Sequence, residues 1–258
     1  MSLRFDGVLL DIDGVLAVSW RALPGAAETV AWLRDRELPF RLITNTTTHT
    51  CADLAATLSD AGIAVAGDEI VTAVVSTASY LRSHHPGARV FVLSDGDAAA
   101  DLRGIDLVAD APEVVVLGGA YEGFDYATMD RIFRWLMDGA VLVAMHRNLY
   151  WWTAEGWQLD GGAYVAGLEE ATGRRAVICG KPAEAAFLAA IEQIGVARDR
   201  ALMVGDDVVN DILGARAAGI AGAVVRTGKF RPRDLEGVVP EPQLILDSIA
   251  DLPAALLG

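Results

Sequence analysis

Short apolar runs that end in Asp, Thr, Asn or Gly alternate along this chain with Ala-rich stretches. The runs predict strands over Gly7 to Leu10, Phe40 to Ile43, Val90 to Leu93, Val114 to Leu117, Val141 to Ala144, Ala176 to Ile178, Ala201 to Val204 and Ala223 to Val225. The stretches between them predict helices over Ala26 to Arg36, Ala52 to Ala61, Val75 to Ser83, Tyr126 to Asp138, Ala163 to Thr172, Ala183 to Ile194 and Asp211 to Ala218. Strands that are apolar throughout are buried on both faces, and crossover helices between them make the sheet parallel. The fold class is α/β.

In open parallel sheets ligands bind beyond the carboxyl ends of the strands, so the residues just after each run carry the interest. Asp11 and Asp13 follow the first strand and Thr44 and Asn45 the second; Lys181 follows the run into Gly180, and Asp206 and Asp207 follow Ala201 to Val204. Between Pro86 and Val177 the pattern continues but supplies no further acidic cluster of this kind. The chain therefore reads as a core over 1–84 and 178–258 with an inserted second domain over 85–177.

Composition narrows the class. Hydrophobic residues make up 53% of the sequence and charged ones 22%, which is globular usage without a mark of disorder. The net charge of -14 argues against a nucleic-acid partner, because phosphate backbones attract basic faces. Cys51 and Cys179 form no CxxC pair, and His49, His84, His85 and His146 lack zinc-ligand spacing, so free thiols in a reducing compartment are expected. No secretory signal layout opens the sequence, and no apolar stretch reaches the ~18 residues a membrane helix needs. A cytoplasmic protein with no membrane partner is expected, which leaves the sequon Asn45-Thr46-Thr47 without meaning.

Four segments carry candidate chemistry. GVLLDIDGVL places Asp11 and Asp13 at i, i+2, on one side of an extended backbone, with Gly14 free to turn the chain. Alone, the pair reads equally as an acidic turn. An EF-hand loop fits poorly, since the glycine sits too early and a strand precedes the acids. In LITNTTT, Thr44 and Asn45 can hold phosphate oxygens or simply cap a helix. Lys181 in ICGKP can neutralise phosphate charge and carboxylate crowding, although most lysines are solvated surface groups. ALMVGDDVVND delivers Asp206 and Asp207, with Asp211 one helical turn later, a set suited to magnesium. Asp211 reads equally as a first-turn acid facing the helix dipole.

The order DIDGV, Thr44, GKP, GDDVVND resembles the haloacid dehalogenase-like phosphatase superfamily over nearly the whole chain. An insert between Thr44 and Lys181 is similar to that of the NagD-like branch, and the tail VRTGKFRP looks like relatives of phospholysine phosphohistidine inorganic pyrophosphate phosphatase. The resemblance implies a Rossmann-like, doubly wound core with a C2-type α/β cap. It implies Asp11 as the nucleophile that forms an aspartyl-phosphate and Asp13 as general acid and base. It further implies Mg²⁺ held by the Asp11 carboxylate, the Asp13 carbonyl and the Asp206 carboxylate, with Asp207 or Asp211 orienting waters. Thr44, Asn45 and Lys181 would bind the phosphoryl group.

The expected partner is a small phosphorylated metabolite, with specificity set by the cap. His146, Arg147 and Tyr150, followed by Trp151 and Trp152, are the candidate specificity segment, and the two tryptophans read equally as cap core or as a cap-to-cap homodimer contact. The Gly161-Gly162 turn before the helix at Ala163 is expected to wall the same pocket. A phosphoryl-transferring mutase shares the nucleophile but places its insert elsewhere. A dehalogenase needs neither Asp13 nor Mg²⁺, and a silent binding protein would be expected to have lost one of these residues.

Overall fold

Gly7–Leu10 is buried along its whole length and is an inner strand of a six-stranded sheet. Across that sheet the order is Leu244–Leu246, Ala221–Val225, Ala201–Gly205, Gly7–Leu10, Phe40–Thr44 and Ile70–Thr72. Parallel pairing sets Leu10 beside Val204 on one side and beside Leu42 on the other. The chain winds outward from Gly7–Leu10 through Phe40–Thr44, then returns at Ala201–Gly205 and winds outward the opposite way. That reversal puts a topological switch point at the carboxyl ends of Gly7–Leu10 and Ala201–Gly205, where doubly wound sheets open a crevice.

The structure, a computed structural model, describes residues 5–153 and 156–257. It divides into two compact units, Met1–Thr44 with Cys51–Val71 and Lys181–Gly258, and Asn45–Thr50 with Thr72–Gly180. In the first unit Val8, Leu10, Leu42, Leu202 and Val204 pack against Val30 and Leu33 of helix Ala26–Asp35 and Leu54 and Leu58 of helix Cys51–Asp60. The second unit has its own five-stranded parallel sheet, in the order Val177–Ile178, Val141–Ala144, Val114–Leu117, Arg89–Leu93, Asp106–Leu107. Its faces are covered by helix Ala73–His84 on one side and by Tyr126–Met137 and Gly161–Thr172 on the other.

The α/β class and parallel sheets agree with the sequence reading. Helix Ala73–His84 packs Ala73, Val74, Ala78 and Leu81 on the second sheet, and the second unit comprises Asn45–Thr50 and Thr72–Gly180, where the sequence reading set its insert over 85–177. Short elements without a long apolar run were not expected, among them the hairpin Ala17–Val18 with Arg21–Ala22 and the edge strand Leu244–Leu246. The segment from Tyr150 is also strand, Tyr150–Thr153 pairing antiparallel with Gly156–Leu159. No helix among the described residues is long and apolar enough to cross a membrane.

Candidate active site

The first strand gives way to a tight loop. Gly14 adopts φ +85°, its N–H donates to the Ala17 carbonyl at 2.8 Å, and Asp13 bridges to Ala17. A Cβ at position 14 would lie 2.1 Å from Asp206 Oδ2, so glycine is required by the turn and by the carboxylate packed against it.

Lys181 is the hub of the buried charges. Its Nζ donates to Asp11 Oδ1 and to Asp211 Oδ1, each at 2.7 Å, and all three side chains are buried. The Ile12 N–H also donates to Asp11 Oδ1 at 2.9 Å, which fixes the carboxylate's orientation. Burial pushes the Asp11 pKa up, with Lys181 pulling the other way. Burial opposes the charge of Lys181, but Asp11 and Asp211 outweigh it and raise its pKa, so the ammonium is permanent at neutral pH.

Strand Ala201–Gly205 delivers Asp206 and Asp207 to the same end of the sheet. The Asp207 side chain caps the next segment, accepting from Val209 N–H and Asn210 N–H at 3.0 and 2.9 Å. That segment, Val208–Leu213, is π-helical and passes into the α-turn Gly214–Ala217, so the helix expected from Asp211 begins earlier and is wider. The wide turn buries Asp211, whose Oδ2 accepts from Asp207 N–H at 3.0 Å. A Cβ at Gly205 would lie 2.2 Å from that oxygen. Asp211 is therefore an internal partner of Lys181, not an exposed acid at a helix start.

Asp11, Asp206 and Asp211 each offer a carboxylate oxygen within 4.8 Å of the others. Burial, then the charges of Asp11 and Asp211, push the Asp206 pKa up to about 8; burial pushes Asp211 up to about 6. Asp206 Oδ1 is buried without a hydrogen-bond partner. An orphaned carboxylate oxygen among crowded acids fits a hard divalent cation, which takes oxygen ligands and relieves the repulsion. Asp211 has both oxygens engaged by Lys181 and Asp207 N–H, which suits it to supporting that set rather than heading it. Asp207 is engaged likewise by its cap contacts, by Asn210 Nδ2 and by Lys229 Nζ.

Asp13 is exposed, yet the protein around it displaces enough water to raise its pKa, against the pull of Lys181 and Lys229. A raised carboxyl is what a general acid requires. Thr44 is buried at the end of Phe40–Thr44. The remaining expected residues belong to the second unit. There Asn45 Oδ1 sits where a Cβ on Gly180 would approach to 2.6 Å. His146 is buried, which lowers its pKa although Asp160 works against that, and its Nδ1 accepts from Asn148 N–H at 3.3 Å. Arg147 is held by buried Glu169, and Tyr150 is exposed. The side chains of Trp151 and Trp152 lie outside what the structure describes.

Gly161 and Gly162, expected as a turn before a helix at Ala163, lie inside that helix. Both are buried residues in the first turn of helix Gly161–Thr172, which Asp160 caps, and a Cβ on either would lie 2.4 Å from a backbone carbonyl oxygen, Gly118 O or Asn148 O. Sequence reasoning also missed Lys229, which donates to Asp207 Oδ2 at 3.1 Å. It too follows a strand, Ala221–Val225, so the rule that found Lys181 could have found it.

A haloacid dehalogenase-like hydrolase family model matches residues 8–108, and a HAD-hydrolase-like model matches 178–252. These stretches carry the carboxylates and both lysines of the site. Haloacid dehalogenase-like hydrolase domain-containing protein 2 from Homo sapiens is 36% identical, over 93% of this chain and 92% of its own. Phospholysine phosphohistidine inorganic pyrophosphate phosphatase from Mus musculus is 34% identical, over 97% of this chain and 94% of its own. NagD from E. coli K-12 has a TM-score of 0.89 at 28% identity, covering 96% of this chain and 98% of that one. A glycerol phosphate phosphatase from Mycobacterium tuberculosis, solved in complex with magnesium, has a TM-score of 0.88 at 28% identity, covering 98% and 78%. With likeness of this extent to relatives above 30% identity, the chain belongs to the haloacid dehalogenase-like hydrolases, in their NagD-like phosphatase branch.

Proposed function

We propose that this protein is a Mg²⁺-dependent phosphatase that removes the phosphoryl group of a small metabolite, a phosphomonoester, phosphoamide or pyrophosphate, through an aspartyl-phosphate on Asp11. The observation that carries this reading is the buried cluster at the switch point, in which Asp206 Oδ1 has no partner while Lys181 ties Asp11 to Asp211. The magnesium bound by the Mycobacterium tuberculosis relative supports the choice of cation.

Asp11, Asp206 and the Asp13 carbonyl would hold the ion, with Asp211 supporting them. When bound, Mg²⁺ neutralises charge on the phosphoryl oxygens during transfer. An Asp11 carboxylate oxygen attacks phosphorus as the bond to the leaving oxygen, or to the nitrogen of a phosphoamide, breaks, and Asp13 gives its proton to that leaving atom. Asp13 then takes a proton from water as the water oxygen attacks phosphorus, which frees Asp11 and yields phosphate. Lys181 holds Asp11 in place and balances negative charge, and Thr44 and Asn45 bind phosphoryl oxygens.

The second unit is read as the C2-type cap that chooses the substrate. Of its expected specificity residues, Arg147 and Tyr150 are exposed and His146 is buried, and Arg147 is paired with Glu169. Exposed Leu149, Tyr150 and Leu159 support a homodimer through this unit, and the cysteine usage supports a cytoplasmic location. The net charge of -14 supports a small substrate over a nucleic acid. The test is phosphate release from an aryl phosphate with and without Mg²⁺, followed by a panel of phosphorylated metabolites. Unchanged Mg²⁺-dependent release by Asp11→Asn would remove Asp11 as nucleophile.

A further inference from the structure

A single residue contacts both neighbouring carboxylates at the end of Ala201–Gly205. The Lys229 backbone N–H donates to Asp206 Oδ2 at 2.7 Å, and its Nζ donates to Asp207 Oδ2 at 3.1 Å. Gly228 before it is left-handed, φ +61°, and a Cβ there would lie 2.0 Å from Asp206 Oδ2. Thr227 Oγ1 donates to the Gly14 carbonyl, tying this loop to the one that carries Asp13. Asp206 Oδ2 is thus enclosed by Gly14, Gly228 and the Lys229 N–H, and the unpartnered oxygen is Oδ1.

The ammonium of Lys229 has a second consequence. It acts on Asp11, Asp13, Asp206, Asp207 and Asp211 together, so five acids are balanced by two lysines. Without a divalent ion this charge offsets the repulsion among them. With the ion present, it is a like charge close by.

We propose that Lys229 is a positioning residue for the divalent cation: its main chain commits Asp206 Oδ2, leaving Oδ1 as ligand, and its ammonium holds the metal-free carboxylates together while weakening cation affinity. This rests on the reading of the site as a Mg²⁺ site. Lys229→Met keeps the main-chain contact and removes the charge; Lys229→Arg keeps both.

The test is calorimetric titration of the full chain with Mg²⁺, with thermal unfolding measured in chelator and in saturating Mg²⁺. Lys229→Met is expected to bind Mg²⁺ about threefold tighter, the size a partly screened unit charge allows. It should unfold at a lower temperature than wild type in chelator and recover most of that difference with Mg²⁺, while Lys229→Arg matches wild type. Equal or weaker Mg²⁺ binding by Lys229→Met would overturn the inference, as would a stability loss of the same size with and without Mg²⁺. If Lys229→Met does not fold, Lys229→Gln, neutral and able to bond Asp207, must show the same tightening. A wild-type chain that binds no Mg²⁺ refutes the metal reading itself; binding that Lys229→Met leaves unchanged refutes only the role of Lys229.

Discussion

Both units are built on a parallel sheet, yet their strand ends hold different chemistry. In the first, Gly7–Leu10 and Ala201–Gly205 converge three carboxylates within 4.8 Å. In the second, the corresponding ends carry Ser94 with Asp95, Gly118 with Gly119, and His146, and no such group of three carboxylates gathers there among the described residues. Ser94 Oγ donates to the Thr47 carbonyl at 3.0 Å, and Gly119 N–H donates to Thr47 Oγ1 at 3.0 Å. The buried acids differ as much. Burial pushes Glu169 up, but Ala176 N–H, Arg147 and Arg175 outweigh it and hold its pKa below the usual value. Asp206 is pushed up to about 8 and keeps an unpartnered oxygen. A parallel sheet supplies a crevice; a reactive centre also needs charges left incompletely paired.

The sharpest way to break this contrast is Asp11→Asn. It should lower Mg²⁺-dependent phosphate release by about a thousandfold or more, as expected for loss of a nucleophile. Its fold should survive, because one crowded charge is removed, and a thermal midpoint well below wild type would count against the crowding. Lys181→Met comes next. Removing the buried ammonium strands Asp11 and Asp211, and breaking a buried ion pair costs about 3–5 kcal/mol. Denaturant unfolding in chelator measures this, and Mg²⁺ should return part of it.

Metal and pH then sharpen it. Asp206 has a folded pKa raised to about 8 over an ordinary 3.8, so the metal-free native state holds a proton that the unfolded chain has lost. The sign follows: its contribution is present below the unfolded value and is lost as pH rises through the folded one. Stability in chelator should therefore fall between pH 5 and 8, by about 1–3 kcal/mol for a coupled group of this kind. Saturating Mg²⁺ should flatten the slope. An equally steep slope with Mg²⁺ would mean that the cation does not reach Asp206.

How much of this could be read from residues alone depends on what each signal needs. Asp11, Asp13, Lys181 and Asp206 each follow an apolar run, and the strand-end rule finds them without knowledge of neighbours. Asp211 is ambiguous in sequence because one turn after Asp207 an α-helix and a π-turn place the side chain differently, and only the wide turn buries it against Lys181. The same rule reaches the loop of Lys229, four residues past Val225, but not its pairing with Asp207, which spans 22 residues. Periodicity locates helix Ala73–His84 but not the sheet it covers, since its apolar face fits either. Strands of two or three residues carry too little pattern to register.

The smallest expected effect lies in the second unit and has the opposite sign in pH. Glu169 accepts from Arg147 and from Ala176 N–H at 2.9 Å, so its carboxylate is already satisfied by the protein. Glu169→Gln replaces one oxygen with an amide that donates toward Arg147, and should cost about 1–3 kcal/mol, the range for a charged hydrogen bond. Because the folded pKa of Glu169 is depressed, its contribution stands above the ordinary value of 4.5 and is lost as pH falls through the folded value. Wild type should thus lose second-unit stability in acid, and Glu169→Gln should lose less, with amide exchange in helix Gly161–Thr172 as the readout. Mg²⁺ binding should not change, since this acid is complete without a cation. A shift in Mg²⁺ affinity on Glu169→Gln would show that the two buried acids are coupled, and the division between a satisfied and an unsatisfied sheet end would fail.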